Sequence, residues 1–320
     1  MKTLVIAAGI VAGLAFGAGA VAQTKQTVPV IVKDTRSPYW QAVLAGARKA
    51  GQDLGVNVVE LGAQSESDAN GQIDMLEKAV ASNPAAIVLA PAQSAALARP
   101  IDEAAKRVKI IGIGSAGDSK AMTALLATDN VNAGRIAADA LAGAITKTYG
   151  DTEGNIVIIT AMPGLAALDQ RAKGFREVLG AKYRALAIVA DRVADGKPTT
   201  VINIMRDLIA NTADLRGVFV SDPIMTQAVA QVVAEGKSAD KINVVGVGAD
   251  ETLVKLLQAD TLAGLVVEDP FRMGYDGVKT ALAAAKGEQV AAKVDTGATL
   301  ITKANMSSAR SQALINPKVN

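Results

Sequence analysis

The sequence predicts an α/β protein made of two lobes, each built on a mostly parallel sheet. Short β-branched runs alternate with amphipathic stretches of helical length from residue 28 to about residue 285, as in parallel sheets covered by helices. Runs such as 86–90 and 155–160 are apolar on both faces, which strands buried on both sides require. Both halves begin with a strand, a polar turn and a long helix, so two similar lobes fit better than one ten-stranded sheet.

The elements follow one another in a regular order. The first strand is expected at 28–33 and the first helix at 38–54, where Ser37 is a favourable N-cap and Pro38 suits the first turn. Later strands are expected at 56–61, 86–90, 109–113, 125–128, 156–161, 186–191, 217–221, 242–247 and 262–267, with a strand-like run at 299–302. Later helices are expected at 67–82, 94–106, 131–149 (capped by Asn130), 168–179, 198–213, 223–236, 250–259 and 271–286.

The first 22 residues have the pattern of a secretory signal peptide. Lys2 supplies a positive charge, residues 4–16 are apolar, and residues 20–22 (Ala-Val-Ala) form a cleavage site, so the mature chain is expected to begin at Gln23. No cysteine follows that site, which argues against a lipid anchor, and no later run is apolar for long enough to span a bilayer. The expected product is a soluble, exported periplasmic protein.

The composition excludes several kinds of chemistry. The chain has no cysteine and no histidine, which removes disulfides, thiol nucleophiles, histidine acid–base catalysis and the usual zinc, copper and non-haem iron sites. The net charge is only +2, with basic and acidic residues interspersed, so neither nucleic acid nor anionic lipid is expected as a partner. An enzyme that uses carboxylates, lysine or serine stays possible, but the expectation is of no catalytic residues, no metal and no cofactor.

The corner between the first strand and the first helix is the leading candidate for a binding site. Tyr39 and Trp40 stand side by side there, although aromatic residues make up only 3% of the chain and Trp40 is its only tryptophan. Ligands bind at the carboxyl ends of strands in open α/β sheets, and an aromatic pair offers a stacking surface to a sugar ring. The alternative is that one ring fills the core and its neighbour is a surface residue.

A glycine-rich loop follows the fourth strand. Residues 112–117 match G-x-G-x-x-G, but a dinucleotide site needs that motif in the first strand–helix unit and directly before a helix. Here it leads to another strand. The loop is better explained as a place where the backbone approaches a ligand.

Four charged residues later in the chain complete the candidate set. Arg171, near the start of a helix, is either a solvated surface residue or a bidentate clamp on vicinal hydroxyls. Asp222 and Asp250 each precede a helix at a strand's carboxyl end, so each suits an N-cap that also faces a cleft. Glu268 is either a salt-bridge partner at a domain crossing or a ligand acceptor.

With these residues assembled, the chain resembles the type I periplasmic sugar-binding proteins, the ribose-binding-like group that feeds ABC importers. The resemblance covers about residues 28–303 and rests on the order and spacing of its landmarks, not on one motif. The landmarks are Ser37-Pro38-Tyr39-Trp40, 127–130 (Ala-Thr-Asp-Asn), 171–175 (Arg-Ala-Lys-Gly-Phe), 218–222 (Val-Phe-Val-Ser-Asp), 244–246 (Val-Val-Gly) and 262–270 (Leu-Ala-Gly-Leu-Val-Val-Glu-Asp-Pro).

The resemblance implies two Rossmann-like lobes joined by a three-strand hinge, with the ligand between them. The first lobe would comprise 23–128 plus 268–295 and the second 129–267 plus 296–320, crossing near 128–130, 267–269 and 294–297. The implied partners are a sugar or sugar alcohol and an inner-membrane ABC permease, with a chemoreceptor or sensor kinase as a further option, and the protein is expected to be a monomer. The implied ligand-binding residues are Asp34, Ser37, Tyr39, Trp40, Ser115, Arg171, Asp222, Asp250 and Glu268.

Two departures from the family pattern affect the expected ligand. Ribose binders carry an Asp-Arg pair where this chain has Gly114-Ser115, and the aspartate expected at Gly248 is displaced to Asp250. Losing several charge-assisted hydrogen bonds, each worth about 1.5–3 kcal/mol, favours a ligand other than ribopyranose. Two other functions stay open here: a ligand-presenting signalling protein, and an exported glycosidase using Asp222 and Glu268 as its carboxylate pair.

Overall fold

The computed structural model describes residues 25–65, 68–115 and 117–317, so the predicted signal peptide at 1–22 lies outside the described residues. The strands are β1 (Thr27–Val32), β2 (Asn57–Gly62), β3 (Ile87–Leu89), β4 (Ile110–Ile113), β5 (Ala124–Ala127), β6 (Gly154–Thr160), β7 (Leu186–Val193), β8 (Leu215–Val220), β9 (Asn243–Val247), β10 (Gly264–Glu268), β11 (Lys293–Asp295) and β12 (Ala298–Ile301). The helices are α1 (Pro38–Leu54), α2 (Ala69–Ala81), α3 (Ser94–Ala105), α4 (Asn130–Tyr149), α5 (Ala166–Lys182), α6 (Pro198–Asn211), α7 (Pro223–Glu235), α8 (Glu251–Gln258), α9 (Pro270–Ala285) and α10 (Ala309–Ile315).

These strands form two six-stranded sheets, which confirms the predicted two-lobed α/β architecture. The first sheet has the order β11-β5-β4-β3-β1-β2, and its strand pairs are all parallel. The second has the order β12-β10-β9-β8-β6-β7 and is parallel except for the antiparallel pair β10–β12. Each sheet, with the helices packed on it, is called a lobe below.

The chain passes between the sheets at three places. It leaves the first sheet after β5, returns after β10 through α9, and leaves again after β11. Helix α9 packs against α1 and over the first sheet, whereas α10 contacts β10 of the second. Glu268 is the last residue of β10 and so lies in the second sheet, one residue beyond the boundary expected there. The lobe boundaries as a whole stay a prediction.

Each sheet is buried on both faces, as its apolar strands predict. In β3, Ile87 and Leu89 pack into one cluster with Leu76 and Leu97 of the helices α2 and α3. Val88 points the other way and packs with residues of α1 and α9. This alternation fixes both layers of helices against the sheet and holds the carboxyl ends of its strands at one edge.

The nine predicted helices are present, with bounds shifted by up to three residues. The structure adds the short strand β11 and the seven-residue helix α10, which are too short to produce a clear periodic pattern. One predicted cap is wrong: Asp129, not Asn130, caps α4, because the Asp129 carboxylate accepts from the backbone N–H of Asn132. None of the helices in the described part of the chain is both long and apolar enough to cross a membrane.

Candidate functional site

A cavity of about 630 Å³ lies between the lobes and has walls from both. Tyr39 and neighbouring residues at the start of α1 form the side that belongs to the first lobe. The loop that contains Asp250, the end of β10 at Glu268, and the C-terminal segment 314–317 form the other sides. Residues from four distant parts of the sequence therefore meet at this opening, which we call the cleft.

A second cavity of about 770 Å³ lies beside the crossings at 127–130 and 293–295. Gly114 and Ser115, after β4, line it from the first lobe. Asn130, at the start of α4, and Gln170, in α5, line it from the second lobe. We call this the hinge-side cavity.

Arg171 contacts one residue from the lining of each cavity: Asn130 of the hinge-side cavity and Glu268 of the cleft. Its side chain is only 8% exposed and contacts acceptors from three separate segments of the chain. Nε donates to the Asn130 Oδ1 at 2.8 Å, Nη1 donates to the backbone oxygen of Ser221 at 3.0 Å, and Nη2 lies 3.1 Å from Glu268 Oε1. The guanidinium is thus fixed in one orientation, and the interpretation of Arg171 as a solvated surface residue is wrong.

The acidic residues near Arg171 come from two strand ends. Glu268 forms the ion pair with Arg171, so its salt-bridge role is confirmed, and it also lines the cleft. Asp222 caps α7 by accepting from the backbone N–H of Met225 at 2.9 Å. Burial raises the pKa of the Asp222 carboxyl above its ordinary value, although the α7 backbone N–H groups and the charge of Arg171 oppose that rise.

The two aromatic residues at the corner have different surroundings. The Trp40 side chain is buried in the core of the first lobe at 4% exposure, close to Gly114 and under the ammonium of Lys33. Tyr39 meets Trp40 edge to face, with ring centroids 5.0 Å apart, and lines the cleft. The alternative in which one ring fills the core describes Trp40, and Tyr39 is the ring that faces the opening. A ligand contact by either ring stays a prediction.

The remaining candidates of the first lobe occupy the strand-to-helix turns. Asp34 is half-buried and accepts from the backbone N–H of Arg36, which stabilises the turn before α1. Ser37 is the N-cap residue of α1, but its side chain makes no capping hydrogen bond. Ser115 lines the hinge-side cavity, with its hydroxyl 3.5 Å from the backbone oxygen of Pro91.

The backbone conformation at Gly248, where the family has an aspartate, favours glycine. Gly248 has φ +91°, a conformation that favours glycine, and a Cβ there would lie 3.2 Å from the ring of Pro223. Asp250, two residues later, lines the cleft but uses both carboxylate oxygens within its own lobe. One oxygen caps α8 at Leu253, and the other accepts from Gln227 at 2.7 Å.

Of the nine predicted residues, Tyr39, Asp250 and Glu268 line the cleft and Ser115 lines the hinge-side cavity. Arg171 lines neither cavity but contacts a residue of each lining.

The structure also adds residues that the sequence did not assign to the site. Asn130 holds Arg171, Gln170 lines the hinge-side cavity, and residues 314–317 form a wall of the cleft. Asn130 carries a sequence signal, since it belongs to the landmark at 127–130, but that signal predicts only a helix cap and not the contact with Arg171. The C-terminal wall had no such signal, because it depends on where α10 docks.

Two further observations limit the chemistry of the site. The described residues contain no group of three or more acidic side chains arranged to hold a metal ion. A separate apolar cavity of about 720 Å³ lies between α9 and α10, lined by Phe271, Tyr275 and Leu314 among others. It lies outside the cleft, although segment 314–317 contributes to both.

Comparisons with known proteins agree with this geometry. Residues 28–289 match the family described as the periplasmic binding protein domain. The ribose import binding protein RbsB of Haemophilus influenzae is 24% identical over 94% of this chain and 99% of its own length. The D-allose-binding periplasmic protein of Escherichia coli is 25% identical over 90% of this chain and 93% of its own.

A solved structure is considerably more similar in sequence. It is a carbohydrate transporter solute binding protein from Agrobacterium radiobacter in complex with D-arabinose. It is 57% identical, covers 92% of this chain and 100% of its own, and superposes with a TM-score of 0.78.

Proposed function

This chain belongs to the periplasmic binding protein domain family, and we propose that it captures a monosaccharide or sugar alcohol between its lobes and delivers it to an ABC importer. The family and the relatives are solute-binding proteins and not enzymes, so the glycosidase hypothesis is withdrawn. The protein acts in the periplasm, and we propose that residues 1–22 are the signal peptide that directs it there.

The fixed guanidinium of Arg171 is the observation that carries this proposal. Two hydrogen bonds, to Asn130 and to the Ser221 backbone, and the ion pair with Glu268 hold the guanidinium, so its remaining Nη hydrogens are donors that lie in a known plane. Glu268, which lines the cleft, and Asp222, which caps α7, supply acceptors near this guanidinium, and Tyr39 lines the cleft from the first lobe. Donors, acceptors and an aromatic face together match a small molecule that carries several hydroxyl groups on an apolar ring.

D-Arabinose is the first ligand to test. The crystal structure of the Agrobacterium radiobacter protein, which is 57% identical to this chain, is a complex with that pentose. Two other relatives are named for ribose, a pentose that differs from arabinose in configuration at C2, and for D-allose, a hexose with an additional hydroxymethyl group. The Gly114-Ser115 and Gly248 departures support a ligand other than ribopyranose, and D-arabinose satisfies that expectation.

Binding would proceed through hinge closure. The ligand bridges half-sites on the two lobes, and the closed form is the one the permease recognises. A micromolar dissociation constant corresponds to about −8 kcal/mol. Several charge-assisted hydrogen bonds, at about 1.5–3 kcal/mol each, and one stacked ring supply that sum after the cost of closure.

Isothermal titration calorimetry of the mature chain tests this function. D-Arabinose, D-ribose, D-allose and ribitol would be compared, after a thermal-shift screen of pentoses, hexoses and polyols. A ligand at 100 times its dissociation constant stabilises the folded state by about 2.7 kcal/mol, which a melting curve detects. We expect one sugar to bind with a stoichiometry of one and to be recovered unchanged. Failure of every sugar and polyol to bind would contradict the proposal.

A role in signalling would use the same closed form. A chemoreceptor or sensor kinase recognises the shape of the ligand-bound lobes, so the cleft alone does not separate this role from transport. Genes for a permease and an ATPase beside this one, or loss of sugar uptake in a deletion strain, would support import.

A further inference from the structure

Asn130 lies at the first residue of α4, directly after the first crossing between the lobes. Its Oδ1 accepts the Nε–H of Arg171 at 2.8 Å, and its Nδ2 lies 3.3 Å from the backbone oxygen of Thr128. Asn130 is therefore tied to the crossing through its own side chain and to Arg171 through its amide oxygen. Asp129 performs the capping role, so the side chain of Asn130 is available for this contact.

The Nε contact determines the orientation of the guanidinium in a way that the other two contacts do not. Nη1 and Nη2 each carry two hydrogens, so bonds to them tolerate more than one tilt of the group. The single Nε–H points in one direction only. The hydrogen bond from Nε to Asn130 and the one from Nη1 to the Ser221 backbone together fix the plane of the guanidinium group and its rotation within that plane.

The packing of α4 on α5 sets the distance between the two residues. A Cβ at Gly134 would lie 1.9 Å from the backbone oxygen of Arg171, and one at Gly174 would lie 1.9 Å from that of Val131. The helices therefore touch backbone to backbone at this point. Asn130 and Gly134 are four residues apart and share one face of α4, so the same contact that seats the Arg171 backbone places the amide beside its Nε.

We propose that Asn130 is a positioning residue, which orients Arg171 for sugar recognition before the ligand arrives. This inference deepens the proposed function and rests on it for the sugar. Preorganised donors gain affinity because the ligand does not bear the cost of ordering them. Asn130 would act through Arg171, and a direct ligand contact is not required of it.

The first test needs no sugar, so it does not depend on the proposed function. Protein labelled with ¹⁵N-arginine would be examined by NMR, and the Arg171 Nε–H signal assigned by its loss in Arg171→Lys. In the wild type this proton should exchange slowly with water. Asn130→Ala should make its exchange much faster, whereas Asn130→Asp, which keeps an acceptor oxygen at the same position, should leave it slow. An equally protected proton in Asn130→Ala would overturn the proposal.

The second test measures affinity for the sugar that binds the wild type most tightly. Asn130→Ala should weaken binding at least about tenfold, and Asn130→Asp should stay within about threefold of the wild type. Asn132→Ala is the matched control, because residue 132 has the same type on the same helix but does not share a face with residue 130. Its affinity should not change.

Two results would overturn the positioning role. Asn130→Ala could bind as the wild type does, or Asn130→Asp could lose as much affinity as Asn130→Ala, which would make Asn130 a direct ligand contact. If Asn130→Ala fails to fold, Asn130→Ser replaces it, because serine suits a helix start but is too short to reach Nε. Absence of sugar binding in the wild type would defeat the proposed function and leave the NMR result standing.

Discussion

Arg171 Nη2 lies 3.1 Å from Glu268 Oε1, which joins helix α5 to the last residue of β10 at the wall of the cleft. The two side chains are 8% and 20% exposed, so this pair is more desolvated than an ordinary surface ion pair. Removing one partner of such a pair leaves the other charge poorly solvated, which costs more than the pair itself contributes. The pair is useful to the site because it fixes a donor and an acceptor beside one another.

Arg171→Ala should weaken sugar binding at least about tenfold, because it removes charge-assisted hydrogen bonds and releases Glu268. Calorimetry with the best-binding sugar measures the change. Arg176→Ala is the control: Arg176 is on the same helix, but it pairs with Asp191 on the protein surface. That variant should bind as the wild type does. Equal affinities for wild type and Arg171→Ala would remove Arg171 from the site.

Replacing each aromatic residue of the corner should separate stability from binding. Trp40→Ala creates a cavity in the core of the first lobe and should lower the free energy of unfolding by about 3–5 kcal/mol. Tyr39→Leu should weaken sugar binding several-fold with a smaller loss of stability, since Tyr39 lines the cleft. Urea unfolding and calorimetry measure the two effects. Normal sugar binding by Tyr39→Leu would show that Tyr39 does not contact the ligand.

The fluorescence of Trp40, the only tryptophan, should change when sugar binds. The ring is buried, but it contacts Tyr39 at one edge and lies near Gly114, and both of these residues line interlobe cavities. Lobe closure around a ligand should therefore alter its surroundings. A titration followed by emission, with calorimetry in parallel, checks this. Constant emission during calorimetrically proven binding would contradict the expected coupling.

Asp222→Asn should stabilise the protein at neutral pH. Burial raises the pKa of Asp222 in the folded state, so the folded chain binds a proton more readily than the unfolded chain. The ionised carboxylate of Asp222 therefore destabilises the folded state. This destabilisation is complete above the pKa of Asp222 in the folded state, and it disappears as the pH falls below the pKa of Asp222 in the unfolded state. The variant keeps the cap, because asparagine caps helices as well as aspartate does.

Melting temperatures of wild type and Asp222→Asn, measured from neutral pH down to about pH 3, test this sign. The variant should melt higher at neutral pH, and the difference should shrink on acidification. A variant that melts lower at neutral pH and approaches the wild type in acid would show that the carboxylate stabilises the fold.

At the crossing between β10 and α9, a buried aspartate forms an ion pair with an exposed arginine. Asp269 caps α9 by accepting from the Arg272 N–H, and its other oxygen lies 2.8 Å from Arg310 Nη2 of α10. The Asp269 side chain is 6% exposed and that of Arg310 is 55% exposed. Asp269→Ala should lower the free energy of unfolding by about 1–2 kcal/mol through loss of the cap. Arg310→Ala should lower it by less, because the exposed Arg310 contributes little and the Asp269 carboxylate keeps its hydrogen bond from the Arg272 N–H. Urea unfolding compares the two, and a larger effect of Arg310→Ala would show that the ion pair dominates.

The sequence was sufficient to predict the two-lobed architecture, nine of the ten described helices and Arg171 as a candidate residue, because periodicity and strand ends are local features. It could not decide which ring of the Tyr39–Trp40 pair faces the cleft. Neighbouring residues on a helix point about 100° apart, and only the docking of α9 and the loop at Gly114 determines which side is buried.

The parts of the site that were missed depend on contacts between distant elements. The role of Asn130 follows from the close approach of α4 and α5 and has no local pattern. The wall at 314–317 follows from the docking of α10, a helix of seven residues against the second sheet. The displacement of aspartate from 248 to 250 was visible in the sequence, but the left-handed backbone at Gly248 was not.

We expect one sugar to be held by Arg171 from the second lobe and by Tyr39 from the first. A crystal structure of the protein with the sugar that binds most tightly in calorimetry tests this most directly. It should show a sugar hydroxyl within hydrogen-bonding distance of the Arg171 guanidinium and the sugar ring against Tyr39, with both lobes closed around the sugar. A sugar that contacts one lobe alone, away from Arg171, would contradict it.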